Sequence, residues 1–212
     1  MHDHDAAILI TSFGLETAGL RQAGFFDLRA ECLPRHVQTA TEYFGDLVRY
    51  ILSGHPIKHG ETSACGSWLI RFDEDNHFLR AKEAFPEAGE AEYRDGIDRA
   101  IGYWECQRDL CIKHGAFFTP IGFLDYITGT ADIFDPEARV EGFRYPFKSS
   151  DIAALCLLGP SYDGDYKTLK LHHAYHVMQA RPDLISYFAL SAGYCFSSDG
   201  SVWFDEDLAA GK

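Results

Sequence analysis

The stretch SWLIRFDEDNHFLR, residues 67–80, decides the fold class of this chain. It begins with an apolar and aromatic run, Ser67–Phe72, and ends with a second strand-like run, His77–Arg80. Between them, Asp73-Glu74-Asp75-Asn76 supplies residues that favour turns. The stretch therefore predicts a β-hairpin, and hence an antiparallel sheet.

A second hairpin is predicted at the end of the chain, where an Asp199-Gly200 turn separates residues 193–197 from residues 201–204. A further strand is expected over residues 6–13. Helical spacing of apolar residues predicts a helix over 35–52, and a second over 90–114. Shorter helices are expected over 151–159, 165–180 and 183–191, the first of them capped by Ser150 or Asp151.

These elements do not alternate regularly between strand and helix, which argues against a doubly wound parallel sheet. We expect an α+β fold, with several amphipathic helices packed on a small antiparallel sheet. At 212 residues the chain is long enough for one sizeable domain, and a single domain over 1–212 is predicted. Residues 116–150 combine many aromatic residues with Pro and Gly, so this segment is expected to be an ordered loop region.

The chain is strongly acidic, with 32 Asp and Glu against 19 Lys and Arg and a net charge of −13. Phosphate binding needs clustered positive charge, so nucleic acid is excluded as an expected ligand. The N-terminal residues lack the basic and apolar regions of a secretory signal, and no stretch approaches a membrane span. The six cysteines contain no C-x-x-C pair, which favours reduced thiols. We expect a cytoplasmic protein that does not bind membranes.

Two acidic clusters are candidates for binding a partner. On the helix predicted over 90–114, four carboxylates project to one side: Asp95, Asp98, Glu105 and Asp109. Near the end of the chain, two aromatic residues precede three acids: Trp203, Phe204, Asp205, Glu206 and Asp207. Acids beside aromatic residues are typical of a surface that attracts and anchors a basic protein. The alternative is a solvated face that only keeps the protein soluble.

Three histidines form a possible metal site. If residues 165–180 are helical, His172 and His176 lie one turn apart, and so do His173 and His176. The glutamate that follows the first histidine of a zinc-protease H-E-x-x-H helix is missing, however. Histidines that are hydrogen-bonded in or near the core are the alternative.

A cysteine nucleophile is the other possible centre. Residues 63–68, Ser-Ala-Cys-Gly-Ser-Trp, resemble the segment of papain-type cysteine proteases in which Cys, Gly, Ser and Trp cluster. In that family the nucleophile directly precedes the aromatic residue, whereas here Cys65 precedes Gly66. His77, His114 or His173 would have to serve as the base, and the spacing does not choose among them.

The sequence therefore favours a binding protein over an enzyme. The most concrete form is an immunity or antitoxin-type inhibitor that occludes a basic toxin or effector by charge and aromatic contacts. The alternatives are a cysteine hydrolase that uses Cys65, a metal-dependent enzyme that uses the three histidines, and a scaffold that binds without inhibiting. For the favoured reading, no cofactor and no metal are expected.

Overall fold

Two β-sheets organise the chain in the computed structural model, which describes residues 6–87, 89, 92–146 and 152–212. Contacts group the chain into two compact units, Met1–Gly102 and Tyr103–Lys212, and each unit holds one sheet. Both sheets contain a parallel pair of strands among antiparallel pairs. The α+β class is confirmed, but the sheets are two and mixed where one small antiparallel sheet was predicted. The expectation of a single domain stays a prediction.

Seven strands form the sheet of the first unit, in the order β1-β2-β3-β6-β5-β4. Strand β3 pairs in parallel with the first half of β6, and β7 pairs with its second half. The strands are β1 (Ala7–Ile10), β2 (Gly14–Ala18), β3 (Asp27–Glu31), β4 (Thr62–Cys65), β5 (Trp68–Asp75), β6 (Phe78–Ala84) and β7 (Tyr93–Asp95). Helix α1 (Val37–Leu52) separates β3 from β4, and α2 (Asp98–His114) follows β7.

Helix α1 confirms the prediction over 35–52 and covers part of one face of this sheet. Its apolar stripe, which includes Phe44 and Leu47, is buried, and the helix packs against β1 and β2. Along β5, buried side chains alternate with less buried ones, so that Ile70 and Phe72 face the core. Full burial of a side chain such as Phe44 contributes about 1.5–3 kcal/mol.

The other face of the sheet carries a network of ion pairs. Arg80 lies 2.6 Å from Asp75 and 3.7 Å from Asp95, measured from guanidinium nitrogen to carboxylate oxygen. The Lys82 ammonium lies 3.3 Å from Asp73 and 3.7 Å from Asp95. Because neighbouring bases balance these acids, this part of the sequence does not form a bare negative surface.

The predicted hairpin over 67–80 is confirmed as β5 and β6, but each strand is longer than predicted, since β5 continues to Asp75 and β6 to Ala84. The turn lies at Asn76-His77 rather than over 73–76, and Asn76 has a φ of 57°. Asn tolerates this left-handed conformation better than most residues. The acids at 73–75 therefore belong to the ladder of β5, where their side chains reach the bases of β6.

The strand predicted over 6–13 is interrupted, because the chain reverses between β1 and β2. Gly14 opens β2 with a φ of 146°, and a Cβ at this position would lie 2.2 Å from the carbonyl oxygen of Ala30. Only glycine allows β2 to approach β3 so closely at this point.

A buried carboxylate fixes the start of α2. Glu83 on β6 is buried, and its Oε2 accepts hydrogen bonds from the backbone N–H groups of Arg99 (2.8 Å) and Ala100 (3.0 Å). Its Oε1 accepts from Arg94 Nε at 2.7 Å. Helix N-termini leave N–H groups without intrahelical partners, and Glu83 satisfies two of them while Arg94 balances its charge. The helix predicted over 90–114 thus begins later, after the short strand β7.

Six strands form the sheet of the second unit, in the order β11-β8-β10-β9-β12-β13. The strands are β8 (Tyr126–Gly129), β9 (Glu141–Arg144), β10 (Ile152–Leu158), β11 (Lys170–His173), β12 (Tyr194–Ser197) and β13 (Val202–Phe204). The unit also contains α2 from Tyr103 onward, helix α3 (Ala174–Ala180), a 3₁₀ helix at Pro182–Ala189 and the short α4 (Glu206–Ala209). The hairpin predicted at the end of the chain is confirmed as β12 and β13.

The inner face of this sheet packs against the 3₁₀ helix. The rings of Tyr187 and Phe196 stack with centroids 4.3 Å apart. A Cβ on Gly142 would lie 2.1 Å from the Phe196 ring, so the absence of a side chain there makes room for that ring. Ile127, Leu157 and Phe188 are fully buried beside them.

Three predictions for this part of the chain are wrong. Residues 116–150 are not only loop, since they contain β8 and β9, and their last four residues lie outside the described chain. The helix expected over 151–159 is the strand β10, and its proposed caps, Ser150 and Asp151, also lie outside the described residues. The helix expected over 165–180 is a 3₁₀ turn, then β11, then α3. Strand β10 lies inside the sheet, and such a short, wholly apolar run has no periodicity that distinguishes it from a buried helix.

A buried arginine holds the connection between β8 and β9. Arg181 is almost fully buried, and its Nη1 donates to the carbonyl oxygens of Ile133 (3.3 Å), Asp135 (2.9 Å) and Ala138 (3.2 Å). Its Nη2 also pairs with Asp183 at 2.8 Å. One cation therefore satisfies carbonyls that lie outside regular structure.

Within the described residues, no helix is long and apolar enough to cross a membrane.

Replacing Glu83 by Ala should lower the free energy of unfolding of the first unit by about 3 kcal/mol, because two helix N–H groups and Arg94 lose their partner. Urea unfolding followed by circular dichroism measures the loss. Glu74→Ala is the matched control, since Glu74 is exposed on β5 and its removal should cost under about 0.5 kcal/mol. Equal effects of the two substitutions would show that α2 does not depend on Glu83.

Candidate interaction surface

The four carboxylates predicted on one side of the second helix are divided between the two units. Asp95 and Asp98 belong to the first unit, and both have structural partners there. Asp95 pairs with Arg80 and Lys82 in the ion-pair network of the first sheet. Asp98 Oδ1 accepts a hydrogen bond of 2.7 Å from the backbone N–H of Leu33. These contacts give both residues a role in holding the first unit together.

Glu105 and Asp109 lie one helical turn apart on the part of α2 that belongs to the second unit. Asp109 is exposed, and Glu105 is half-buried. One turn further along, Ile112 is 72% exposed. Ile112 thus adds an exposed apolar group beside these two carboxylates.

The aromatic-acidic cluster predicted near the end of the chain lies on β13 and α4. Strand β13 is the last strand of its sheet, and Trp203 and Phe204 are 40% and 52% exposed. Asp205 caps α4, since its Oδ1 accepts from the backbone N–H of Leu208 at 2.9 Å. Glu206 and Asp207 follow on the exposed first turn, and Asp207 also lies 3.3 Å from the Lys212 ammonium. Both aromatic rings thus lie beside carboxylates that face water.

Tyr194 connects this cluster to the end of α2. Its hydroxyl donates to the carbonyl oxygen of His114 at 2.8 Å, and its ring lies 5.1 Å from that of Phe204. The backbone N–H of Phe117 donates to Ser191 Oγ at 3.3 Å, and Ser191 lies three residues before Tyr194. Phe117 is 82% exposed, the most open of the large apolar side chains described.

We call this region the acidic–aromatic surface. It consists of Glu105, Asp109, Ile112, Phe117, Tyr194, Phe204 and the carboxylates of 205–207. Trp203 lies on the opposite face of β13 and borders the same carboxylates. Sequence reasoning missed Ile112, Phe117 and Tyr194. The position of Ile112 outside the apolar stripe of the helix was the one signal that pointed to its exposure.

Cys65 does not have the environment of a nucleophile. It ends β4, pairs in register with the buried Trp68, and is only 1% exposed. Residues 67–68 form a turn and a strand, where a papain-type site has a helix N-terminus that lowers the pKa of its cysteine. A substrate has no path to this thiol in the folded protein.

The structure brings the rings of His173 on β11 and His176 on α3 to a centroid distance of 5.6 Å, but His172 does not join them. His172 and His173 lie on strand β11, so their side chains leave opposite faces of the sheet. His172 Nε2 lies 3.3 Å from the carbonyl oxygen of Gly129, whereas the His173 ring packs on Tyr126 with centroids 4.1 Å apart. Burial lowers the pKa of His172. Across the described ranges, no group of three or more His, Cys, Asp or Glu side chains is placed to hold a metal ion.

Iodoacetamide should leave Cys65 unmodified in the native protein and modify it in urea, because Cys65 is only 1% exposed in the folded chain. Mass spectrometry of tryptic peptides after labelling at about pH 7.5 gives the result. Cys106 is the comparison: it is half-buried, and burial raises its pKa to about 11, so its labelling should increase steeply only at alkaline pH. Rapid native labelling of Cys65 would instead support the hydrolase.

One known protein family resembles part of the chain. Residues 106–205 match the Imm33-like domain family. The match begins inside α2 and ends directly after β13, so it lies within the second unit and covers slightly less than half of the chain. No significant match was found among curated proteins or among solved structures.

Proposed function

We propose that this chain is an immunity-type binding protein that neutralises a basic toxin or effector protein by covering the active surface of that protein. The match to the Imm33-like domain supports the class, since the name of the family is that of an immunity-protein type. The acidic–aromatic surface supports the mode of action.

The observation that carries the proposal is where this surface lies. Asp109 and Ile112 lie near the start of the matched region, and Phe204 and Asp205 lie at its end. Tyr194 brings these two ends together in space through its contacts with His114 and Phe204. The domain that matches the family therefore presents exposed aromatic rings among carboxylates.

The chemistry of the surface favours a basic partner. Carboxylates attract a positively charged protein over several ångströms and accelerate the encounter. Aromatic and aliphatic side chains such as Phe117 and Ile112 then contribute most of the binding energy once water is excluded. A toxin that acts on nucleic acid needs a basic active surface, and carboxylates placed there take the positions of phosphates.

This mechanism needs no chemistry from the chain itself. Occlusion is steric and electrostatic, so the toxin stays intact and recovers its activity when the complex dissociates. Capture of the tagged protein at low and moderate salt, followed by an assay of the bound toxin, tests this. One stoichiometric basic protein whose activity is inhibited in the complex supports the proposal. Binding without inhibition would identify a scaffold instead.

Reversing charge at Glu105→Lys with Asp109→Lys should slow association with the captured partner about tenfold at low ionic strength and weaken its salt dependence. Stopped-flow or surface plasmon resonance gives the rate. The matched control is Glu42→Lys with Asp46→Lys, two acids one turn apart on α1 of the first unit, which changes the net charge equally. Similar slowing in both variants would point to net charge rather than to this surface.

Replacing Trp203 by Ala should raise the dissociation rate about ten- to a hundredfold, because exposed tryptophans at interfaces are common anchors. The association rate should change little. Tyr50→Ala removes an exposed aromatic residue from α1 and should leave dissociation unchanged. If the melting temperature of the Trp203 variant falls steeply while the dissociation rate stays the same, Trp203 serves the core.

A further inference from the structure

A row of side chains crosses the outer face of the second sheet. Residues paired directly in register lie on the same face of a sheet. Following the pairs from β11 to β13 gives one continuous row: Leu171, Thr128, Cys156, Phe143, Cys195 and Trp203. Apart from one hydroxyl, this row is made of apolar groups and thiols.

This outer face keeps large apolar side chains open to water. Leu171 is 54% exposed, and Trp203 at the other end of the row is similarly open. Tyr145, which continues β9 beside Ala154 on the same face, is also exposed. The inner face differs, since the rings of Tyr187 and Phe196 fill it. Between these exposed side chains, Cys156 and Cys195 are buried, so the row is open to water at its two ends and beside Tyr145.

A groove of about 410 Å³ lies in the middle of this face. The side chains that shape it are Thr128, Tyr145, Ile152, Ala154, Cys156 and Leu169. The volume falls within the range of ligand pockets and is ample for one large apolar side chain with its neighbouring backbone. Burial raises the pKa of the Cys156 thiol to about 11, so the floor of the groove is uncharged at neutral pH. None of the described residues that line the groove is an Asp, Glu, Lys or Arg, so a charged group would lose hydration there without an ion-pair partner among them.

The groove lies at a defined distance from the carboxylates. Cys156 on β10 and Trp203 on β13 are three strands apart along the row, which corresponds to about 14 Å. Asp205, Glu206 and Asp207 follow immediately after β13 and are exposed. A partner segment that binds in the groove and extends along the row therefore reaches the three carboxylates of 205–207.

We propose that the groove receives one aliphatic or aromatic side chain of the partner, and that lysine or arginine residues about 14 Å away on the partner meet the carboxylates of 205–207. This inference rests on the proposed function and specifies the chemistry of the partner. Charge complementarity favours a foreign basic segment over a second copy of this chain, because two copies would bring their carboxylates together.

Occupation of the groove is tested first with an uncharged fluorescent probe, N-phenyl-1-naphthylamine. The full chain should bind it at one site. Ala154→Leu fills the groove from its floor and should weaken probe binding at least tenfold. Ala7→Leu makes the same change at an exposed position of β1 and should have no effect. Unchanged binding by the Ala154 variant, with its melting temperature preserved, would overturn the groove as a site.

The charged half is tested with a synthetic peptide, acetyl-Thr-Leu-Thr-Ser-Thr-Lys-Lys-amide, whose leucine and first lysine are about 13 Å apart when extended. The peptide should displace the probe. Exchanging its leucine for serine, or both lysines for glutamate, should weaken displacement at least tenfold. Reversal of Asp205, Glu206 and Asp207 to Lys should weaken peptide binding but leave probe binding intact. If either peptide exchange has no effect, the proposal fails.

Failure of this inference is distinguishable from failure of the proposed function. If the Ala154→Leu variant loses the probe but still inhibits the captured toxin fully, the groove has no part in binding the partner. If probe and peptide bind as expected but no toxin is inhibited, the proposed function fails and the apolar-basic segment binds for another purpose. Concentration-dependent dimerisation that excludes the probe, seen by light scattering, would assign the groove to a second copy and overturn the proposal.

Discussion

The start of α2 depends on a single carboxylate removed from water. A buried glutamate is costly unless its charge is balanced and its oxygens accept hydrogen bonds, and Glu83 meets both conditions through Arg94 and the first turn of the helix. The first turn of α2, which belongs to the first unit, is thereby fixed to β6.

The second unit solves a similar problem with arginines. Arg181 gathers three carbonyls between β8 and β9, and Arg144 donates to the carbonyls of Leu190 (2.7 Å) and Thr119 (2.9 Å). Burial lowers the pKa of Arg144 to about 10, which still leaves it charged at neutral pH. These cations hold irregular segments around the sheet, while the sheet itself presents Trp203 and the groove on its outer side. The two buried arginines thus order the loops around the sheet through hydrogen bonds to loop carbonyls.

Much of this architecture could be predicted from the sequence, and the failures have physical causes. Helix α1 and both hairpins follow from local periodicity and turn residues. The wholly apolar sequence of β10 shows no alternation and so predicts a helix as readily as a strand, while the Pro and Gly residues of 116–150 conceal β8 and β9. His172 and His173 were assigned to a helix for lack of any signal that β11 precedes α3. The parallel pairs β3–β6 and β8–β10 join distant segments, which no local pattern reveals. The carboxylates of 205–207 were found by composition, whereas the exposure of Ile112 and Phe117 depends on tertiary packing.

The position of β13 at the end of its sheet affects how the protein behaves when it is abundant. An open edge invites pairing with the same edge of another molecule, which leads to aggregation. Here the edge is only three residues long, and acids follow it directly. Two copies that approached edge to edge would repel each other. This edge is therefore protected against pairing between copies, and the exposed aromatic residues beside it stay available at high concentration.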